Sequence, residues 1–144
     1  LLHCDFVVLA DNAKLSTPFV NLALVPEAAS TLLMPLRIGR ARAFEMFALG
    51  DSMDAQTAHA FGIANRVVPL ERLYAEAADV AARLAKLPAG SLAATKRLMR
   101  NPAALTAQIE AESERFAERL TTAEAREAFT AFAERRPPDF MKVA

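Results

Sequence analysis

The spacing of apolar and polar residues changes several times along the chain, and each change marks an element. Val7, Val8 and Leu9 form an unbroken apolar run in "DFVVLA" (5–10), the pattern of a strand covered on both faces. Asp11 and Asn12 supply turn chemistry, and a second short strand is expected before Thr17-Pro18. "VPEAASTLLMPLRIG" (25–39) then carries the signals of a helix start: Pro26 in a first-turn position, Glu27 beside it and Gly39 as the stop, with Pro35 breaking the helix near its end. "RARAFEMFALG" (40–50) and "SMDAQTAHAFG" (52–62) predict two more short helices closed by Gly50 and Gly62, the second capped by Asp54. "IANRVVP" (63–69) is a β-branched strand ended by Pro69.

Beyond Pro69 every pattern is helical. Leu73, Ala77, Val80, Leu84 and Leu87 recur at steps of four and three, so 70–87 reads as one amphipathic helix. "SLAATKRLMRN" (91–101) is another. Leu105, Ile109, Phe116 and Leu120 line a longer helix that begins near Pro102. In the last, "TTAEAREAFTAFAERR" (121–136), Phe129 and Phe132 share a face, two arginines suit the C-terminal end, and Pro137-Pro138 provide the stop. A strand-rich start, small helices, one strand and four successive helices do not make a complete doubly wound domain. The order predicts the back half of an α/β protein, with a core portion over 1–69 and a helical region over 70–144.

Composition narrows the function classes. The 144 residues are 53% hydrophobic and 24% charged, which is globular. Seventeen basic and seventeen acidic residues balance, so net charge offers no argument for nucleic acid or for an anionic membrane. One cysteine, Cys4, excludes an internal disulfide framework and fits a reducing, cytoplasmic setting. Two histidines and one cysteine make no zinc-type cluster, so no metal or cofactor is expected. Charges and prolines interrupt every apolar run before membrane-spanning length. The opening "LLHCDFVVLAD" has Asp5 inside it and no basic leader, so it reads as a strand entered part-way, with further residues expected before Leu1.

Glu27 stands alone in the apolar stretch "TPFVNLALVPEAASTLLMPLRIG" (17–39). An acid in a first helical turn is favoured by about 0.3–1 kcal/mol through the helix dipole, with no chemistry involved. The alternative is a catalytic carboxylate. His3 and Cys4, at the lip of an apolar strand, read as a satisfied core histidine and an inert buried thiol. Ser30 and Thr31 have no base placed beside them, and Lys96, Arg97 and Arg100 read as a solvated face.

The run "CDFVVLADNAKLSTPFVNLALVPEAASTLLMPLRIGRARAFEMFALGDSMDAQTAHAFGIANRVVP" resembles the enoyl-CoA hydratase/isomerase (crotonase) superfamily, and "REAFTAFAERRPPDF" resembles its C-terminal region. The resemblance implies the C-terminal part of a crotonase-like ββα spiral over 1–69 and a helical trimerisation region over 70–144. It also implies acyl-CoA thioester substrates and a homotrimer or a hexamer built as a dimer of trimers. In such enzymes two backbone N–H groups hold a thioester enolate oxygen while a carboxylate moves the proton. The family's oxyanion donors and first hydratase glutamate would lie before Leu1. Its second hydratase glutamate follows a proline, and the matching position here is Phe19, which has no acid/base chemistry. The acid after a proline is Glu27 instead, a placement that resembles the family's isomerases, including the 1,2-epoxyphenylacetyl-CoA isomerases that place an aspartate there. The resemblance therefore implies an isomerase with Glu27 as proton shuttle and Phe19 drying the pocket. The alternatives are a hydratase using an upstream glutamate, or a silent protein that binds acyl-CoA or a partner. Asp5 resembles a structural aspartate of the family. Arg135 resembles the residue offered to the CoA phosphates of a neighbouring subunit, and Phe132 the aromatic near the adenine. The isolated chain is expected to lack a complete oxyanion hole and to be inactive.

Overall fold

The computed structural model describes residues 1–143. Among the described residues, four short strands, β1 (Val8–Ala10), β2 (Lys14–Leu15), β3 (Met53–Asp54) and β4 (Arg66–Val68), accompany seven α-helices and three 3₁₀ turns. The helices are α1 (Ser30–Ile38), α2 (Arg40–Leu49), α3 (Ala55–Ala60), α4 (Leu73–Leu84), α5 (Ala89–Leu98), α6 (Pro102–Leu120) and α7 (Ala123–Ala133). Two compact units result, one formed by Leu1–Leu15 with Met53–Leu105, the other by Ser16–Ser52 with Thr106–Ala144.

In the first unit, β1 pairs parallel with β4 in the register Val8↔Arg66, Leu9↔Val67, Ala10↔Val68. β2 pairs antiparallel with β3. The first strand is shorter than its apolar run, for a local reason. The Val7 N–H donates to the Asn65 side-chain oxygen (2.8 Å), and the Val7 carbonyl accepts from the Asn65 N–H (2.8 Å). An asparagine side chain thus stands in for the next rung of the ladder. Asp54 caps α3 as its position predicts, accepting the Thr57 N–H at 2.7 Å.

The predicted helix over 70–87 is trimmed at both ends. Pro69 opens a 3₁₀ turn over Leu70–Arg72, and α4 stops at Leu84, before Pro88. Of its apolar face only Val80 is fully buried, while Leu84 and Leu87 are exposed. Cys4 is exposed and free, and His3 is exposed as well, so the expectation of a buried thiol and a core histidine is corrected. Lys96 and Arg100 are not a purely solvated face either. Both pair with Asp5, and Arg100 also donates to the His3 carbonyl. The Lys96 hydrogen bond, chiefly, holds the Asp5 carboxyl below its usual value.

In the second unit, α1 and α2 pack on one another across Gly39, and α2 also meets a 3₁₀ turn over Val20–Leu22. Gly50 closes α2 in a left-handed conformation (φ 72°), and a Cβ there would lie 2.6 Å from the Asn21 amide nitrogen. The core is built from Leu24, Met34, Ile38, Met46 and Phe47, with Ala125, Ala128 and Ala131 of α7.

Three helix boundaries in this unit differ from expectation. α1 begins at Ser30, so neither Pro26 nor Glu27 is in its first turn. Pro35 lies inside α1, sixth of its nine residues, and does not end it: the helix continues to Ile38, and the proline removes one ladder bond, the one to the Thr31 carbonyl. α7 ends at Ala133, four positions ahead of Pro137. Its stop is a pair of reversed bonds, Arg136 N–H to the Ala131 carbonyl (2.9 Å) and Arg135 N–H to the Phe132 carbonyl (3.2 Å), with Arg135 left-handed at φ 55°. Phe129 and Phe132 do share an orientation, but it is an outward one: α7 packs through its alanines. Among the described residues, no helix is long and apolar enough to cross a membrane, and no group of side chains forms a metal site.

Candidate functional site

Glu27 stands on a loop, between a buried Pro26 and two successive left-handed alanines, Ala28 (φ 61°) and Ala29 (φ 54°). Its carbonyl accepts the Ser30 N–H at 3.1 Å, and its side chain is exposed in this chain. A left-handed residue with a Cβ costs about 1–2 kcal/mol, so adjacent alanines in this state need an outside support.

That support is Glu112 on α6, the one charged residue buried among those described, at 5% exposure. Its Oε2 accepts the Ala29 N–H (2.6 Å), and its Oε1 accepts the Thr31 N–H (2.9 Å) and the Thr31 hydroxyl. Gln108 Nε2 donates to the same hydroxyl at 2.7 Å. These are the N–H groups that the start of a helix leaves unpaired. Ala29, at the N-cap, has no side-chain acceptor, so a carboxylate from another helix takes that role. Thr31 is thereby committed to structure and is no nucleophile.

Phe19, half-buried, opens the turn ahead of this loop. Its carbonyl accepts the Leu22 and Leu24 N–H groups at 3.0 and 2.8 Å. A third left-handed alanine, Ala23 (φ 57°), follows, and its carbonyl accepts the Arg119 Nε–H at 3.1 Å. Arg119 also pairs with Glu124. Val20, Ala23, Leu24, Arg119, Glu124 and Phe140 are among the walls of a cavity of about 540 Å³.

Phe132, 78% exposed, and Arg135 lie on the last turn of α7 and just past it. The neighbouring arginine has a different task. Arg136 pairs with Glu127 and Glu134, while the Asp139 N–H donates to Glu127 Oε1 at 2.8 Å, folding the tail back along α7. The Arg136 hydrogen bond, chiefly, pulls the Glu127 carboxyl down to about 2. Arg135 pairs with no carboxylate among the described residues, so its guanidinium faces solvent with its donors unspent.

The predicted site residues fall into two groups within this unit: Phe19 and Glu27 on the segment leading into α1, and Phe132 and Arg135 at the end of α7. No hydrogen bond or ion pair joins any two of the four among the described residues. Sequence reasoning missed Gln108, Glu112 and Arg119. All three lie on α6 with half-buried Phe116 at spacings of four, four and three, so one face of that helix is a polar stripe turned inward. The signal was present in the sequence, but polar positions on a helix read first as a solvated face.

The family model for enoyl-CoA hydratase/isomerase matches residues 1–142. The chain is 34% identical over 138 residues to the 1,2-epoxyphenylacetyl-CoA isomerase of Escherichia coli K12, covering 94% of this chain and 53% of that protein. It is 30% identical over 141 residues to the 2,3-dehydroadipyl-CoA hydratase of the same organism, covering 96% and 55%. The crystal structure of an enoyl-CoA hydratase/isomerase from Pseudoalteromonas atlantica T6c superposes with a TM-score of 0.93 at 40% identity, over 96% of this chain and 57% of that one. The chain thus spans about half the length of the curated relatives it matches. Its architecture is a portion of the crotonase fold, as the resemblance implied. Matched along nearly all its residues and sharing that fold, the chain belongs to the enoyl-CoA hydratase/isomerase family.

Proposed function

We propose that this chain carries the proton-transfer side of an acyl-CoA isomerase, with Glu27 as the shuttle. The observation that carries the reading is the Glu27 loop. A lone carboxylate sits on a backbone forced into two left-handed residues and pinned by a buried acid, and strain of this kind gathers at functional sites. The 34% identity to a protein named as an isomerase supports it, as does Phe19, which offers no second carboxylate at the position where the family resemblance puts one.

In this reading Glu27 removes a proton from C2 of a 3-enoyl thioester, and the electron pair moves into the carbonyl as an enolate. Collapse of the enolate shifts the double bond to C2–C3, and the same carboxyl returns its proton at C4. Backbone donors outside these residues hold the oxyanion. Phe19 excludes water, and Arg135 and Phe132 receive the phosphates and adenine of the CoA bound by a neighbouring subunit. The exposed apolar faces of α4 and α7 are those a homotrimer, or a dimer of trimers, would cover.

The relative named as a hydratase favours a second reading, addition of water by a carboxylate outside this chain. The two separate cleanly by product mass. The full-length protein carrying this chain is given a 3-enoyl-CoA and the product is analysed by mass spectrometry. Unchanged mass with the double bond at C2 is expected. A gain of one water sinks the isomerase reading, and no product leaves acyl-CoA or partner binding as the function.

A further inference from the structure

We infer that Glu112 is a positioning residue: from α6 it sets the backbone of the Glu27 loop, and through it the direction of the Glu27 carboxyl. The inference deepens the proposed function and rests on Glu27 being the shuttle.

The chemistry of the contact is more specific than packing requires. Both oxygens of Glu112 act as acceptors, Oε2 for the Ala29 N–H and Oε1 for the Thr31 N–H and hydroxyl. A carboxylate can do this on both sides at once, whereas an amide presents a donor on one side. A stable helix start needs far less, since a serine or aspartate at position 29 would cap α1 locally. The chain instead has an alanine there and takes the acceptor from a residue 83 positions away. The consequence of that arrangement lies at Ala28 and Ala29. Their left-handed pair turns the backbone immediately after Glu27, and Pro26 fixes its own φ immediately before it. Glu27 is therefore the one residue between two rigid points, and Glu112 supplies the second of them. Misplacing a catalytic group by about 1 Å costs on the order of 100-fold in rate, so such a clamp acts directly on turnover.

The test uses the full-length protein carrying this chain, a 3-enoyl-CoA as substrate, and the variants Glu27→Gln, Glu112→Gln and Ala29→Gly. Glu112→Gln is expected to lower kcat about 10- to 100-fold with KM changed less than about twofold, measured per folded molecule. Ala29→Gly relieves the left-handed strain and keeps the backbone N–H that Glu112 accepts, so alone it should lower neither the thermal midpoint nor kcat; added to Glu112→Gln, it should restore part of the lost kcat, because glycine holds the left-handed turn without the clamp. A purely structural Glu112 predicts otherwise: any loss of activity follows loss of folded protein, and adding Ala29→Gly to Glu112→Gln leaves kcat per folded molecule unchanged. Parental kcat in folded Glu112→Gln overturns the inference. Should Glu112→Gln fail to fold, Glu112→Asp decides alone: it keeps the carboxylate but draws it back by one methylene, so a lowered kcat per folded molecule is expected and a parental kcat overturns the inference. Parental activity in Glu27→Gln removes the shuttle reading and this inference together. An inactive Glu27→Gln beside a fully active Glu112→Gln removes only the inference.

Discussion

Glu27 is an acid whose surroundings, more than its own position, argue for chemistry. Its neighbours are an alanine pair that would rather not be left-handed, and an acid that would rather not be buried. Each is unfavourable alone, and each satisfies the other through two N–H bonds. Glu27→Gln should abolish turnover while leaving CoA binding within about twofold, since an amide keeps the shape but cannot carry the proton. Full activity with bound CoA unchanged would dismiss the shuttle. Arg135 presents the same coincidence of strain and charge at the far end of α7. Arg135→Gly should raise stability by about 0.5–1 kcal/mol by relieving the left-handed Cβ, net of the entropy of glycine. The same variant should weaken CoA binding severalfold by removing the guanidinium. Calorimetric unfolding and a CoA titration on one preparation test both, and a tighter CoA complex would contradict the phosphate assignment.

At the scale of elements, α7 meets its unit through Ala125, Ala128 and Ala131, all buried. Ala128→Leu should cost about 1–3 kcal/mol by overpacking, visible as a lower denaturation midpoint, whereas Phe132→Ala on the open side should change stability little. The tail after α7 is held by Glu127, which accepts from Arg136 and from the Asp139 N–H. Its folded carboxyl value lies below the unfolded one, so its contribution is complete above the ordinary carboxylate range and is lost as pH falls toward 2. An NMR titration of the Glu127 carboxyl should have its midpoint near 2, with the tail amides shifting in parallel. A midpoint above 4 would mean the tail is not held this way. Much of this element plan was legible in the sequence because caps and stops are local. Asp54, Gly39, Gly50 and Gly62 act where their chemistry places them. The start of α1 was not legible, because Pro26 and Glu27 imitate a first turn while the real N-cap acceptor comes from α6. The inward face of α6 was missed for the same reason: the burial of Gln108, Glu112 and Arg119 is decided by partners far away in sequence.

For the molecule as a whole, the apolar side chains left uncovered are large and numerous. Leu36 and Phe44 are 76% and 70% exposed, and Leu98 and Met99 are 88% and 81% exposed. Surfaces of this kind associate. Light scattering of the 144-residue chain should therefore report species heavier than 15.6 kDa, and a clean monomer across a concentration series would contradict this. The bond between Glu112 and the Glu27 loop has one more consequence, in the order of events during folding. Glu112 is joined to Ala29 and Thr31 across 83 and 81 positions of chain. Closing so long a loop is slow compared with winding a helix, and the reward comes only when α6 docks. During synthesis α1 and α2 are complete long before residue 112 exists. The acid-bearing loop must then wait, with its alanines free to relax to ordinary conformations. The geometry around Glu27 therefore depends on the docking of α6, and nothing within the loop's own stretch of sequence takes the place of that contact.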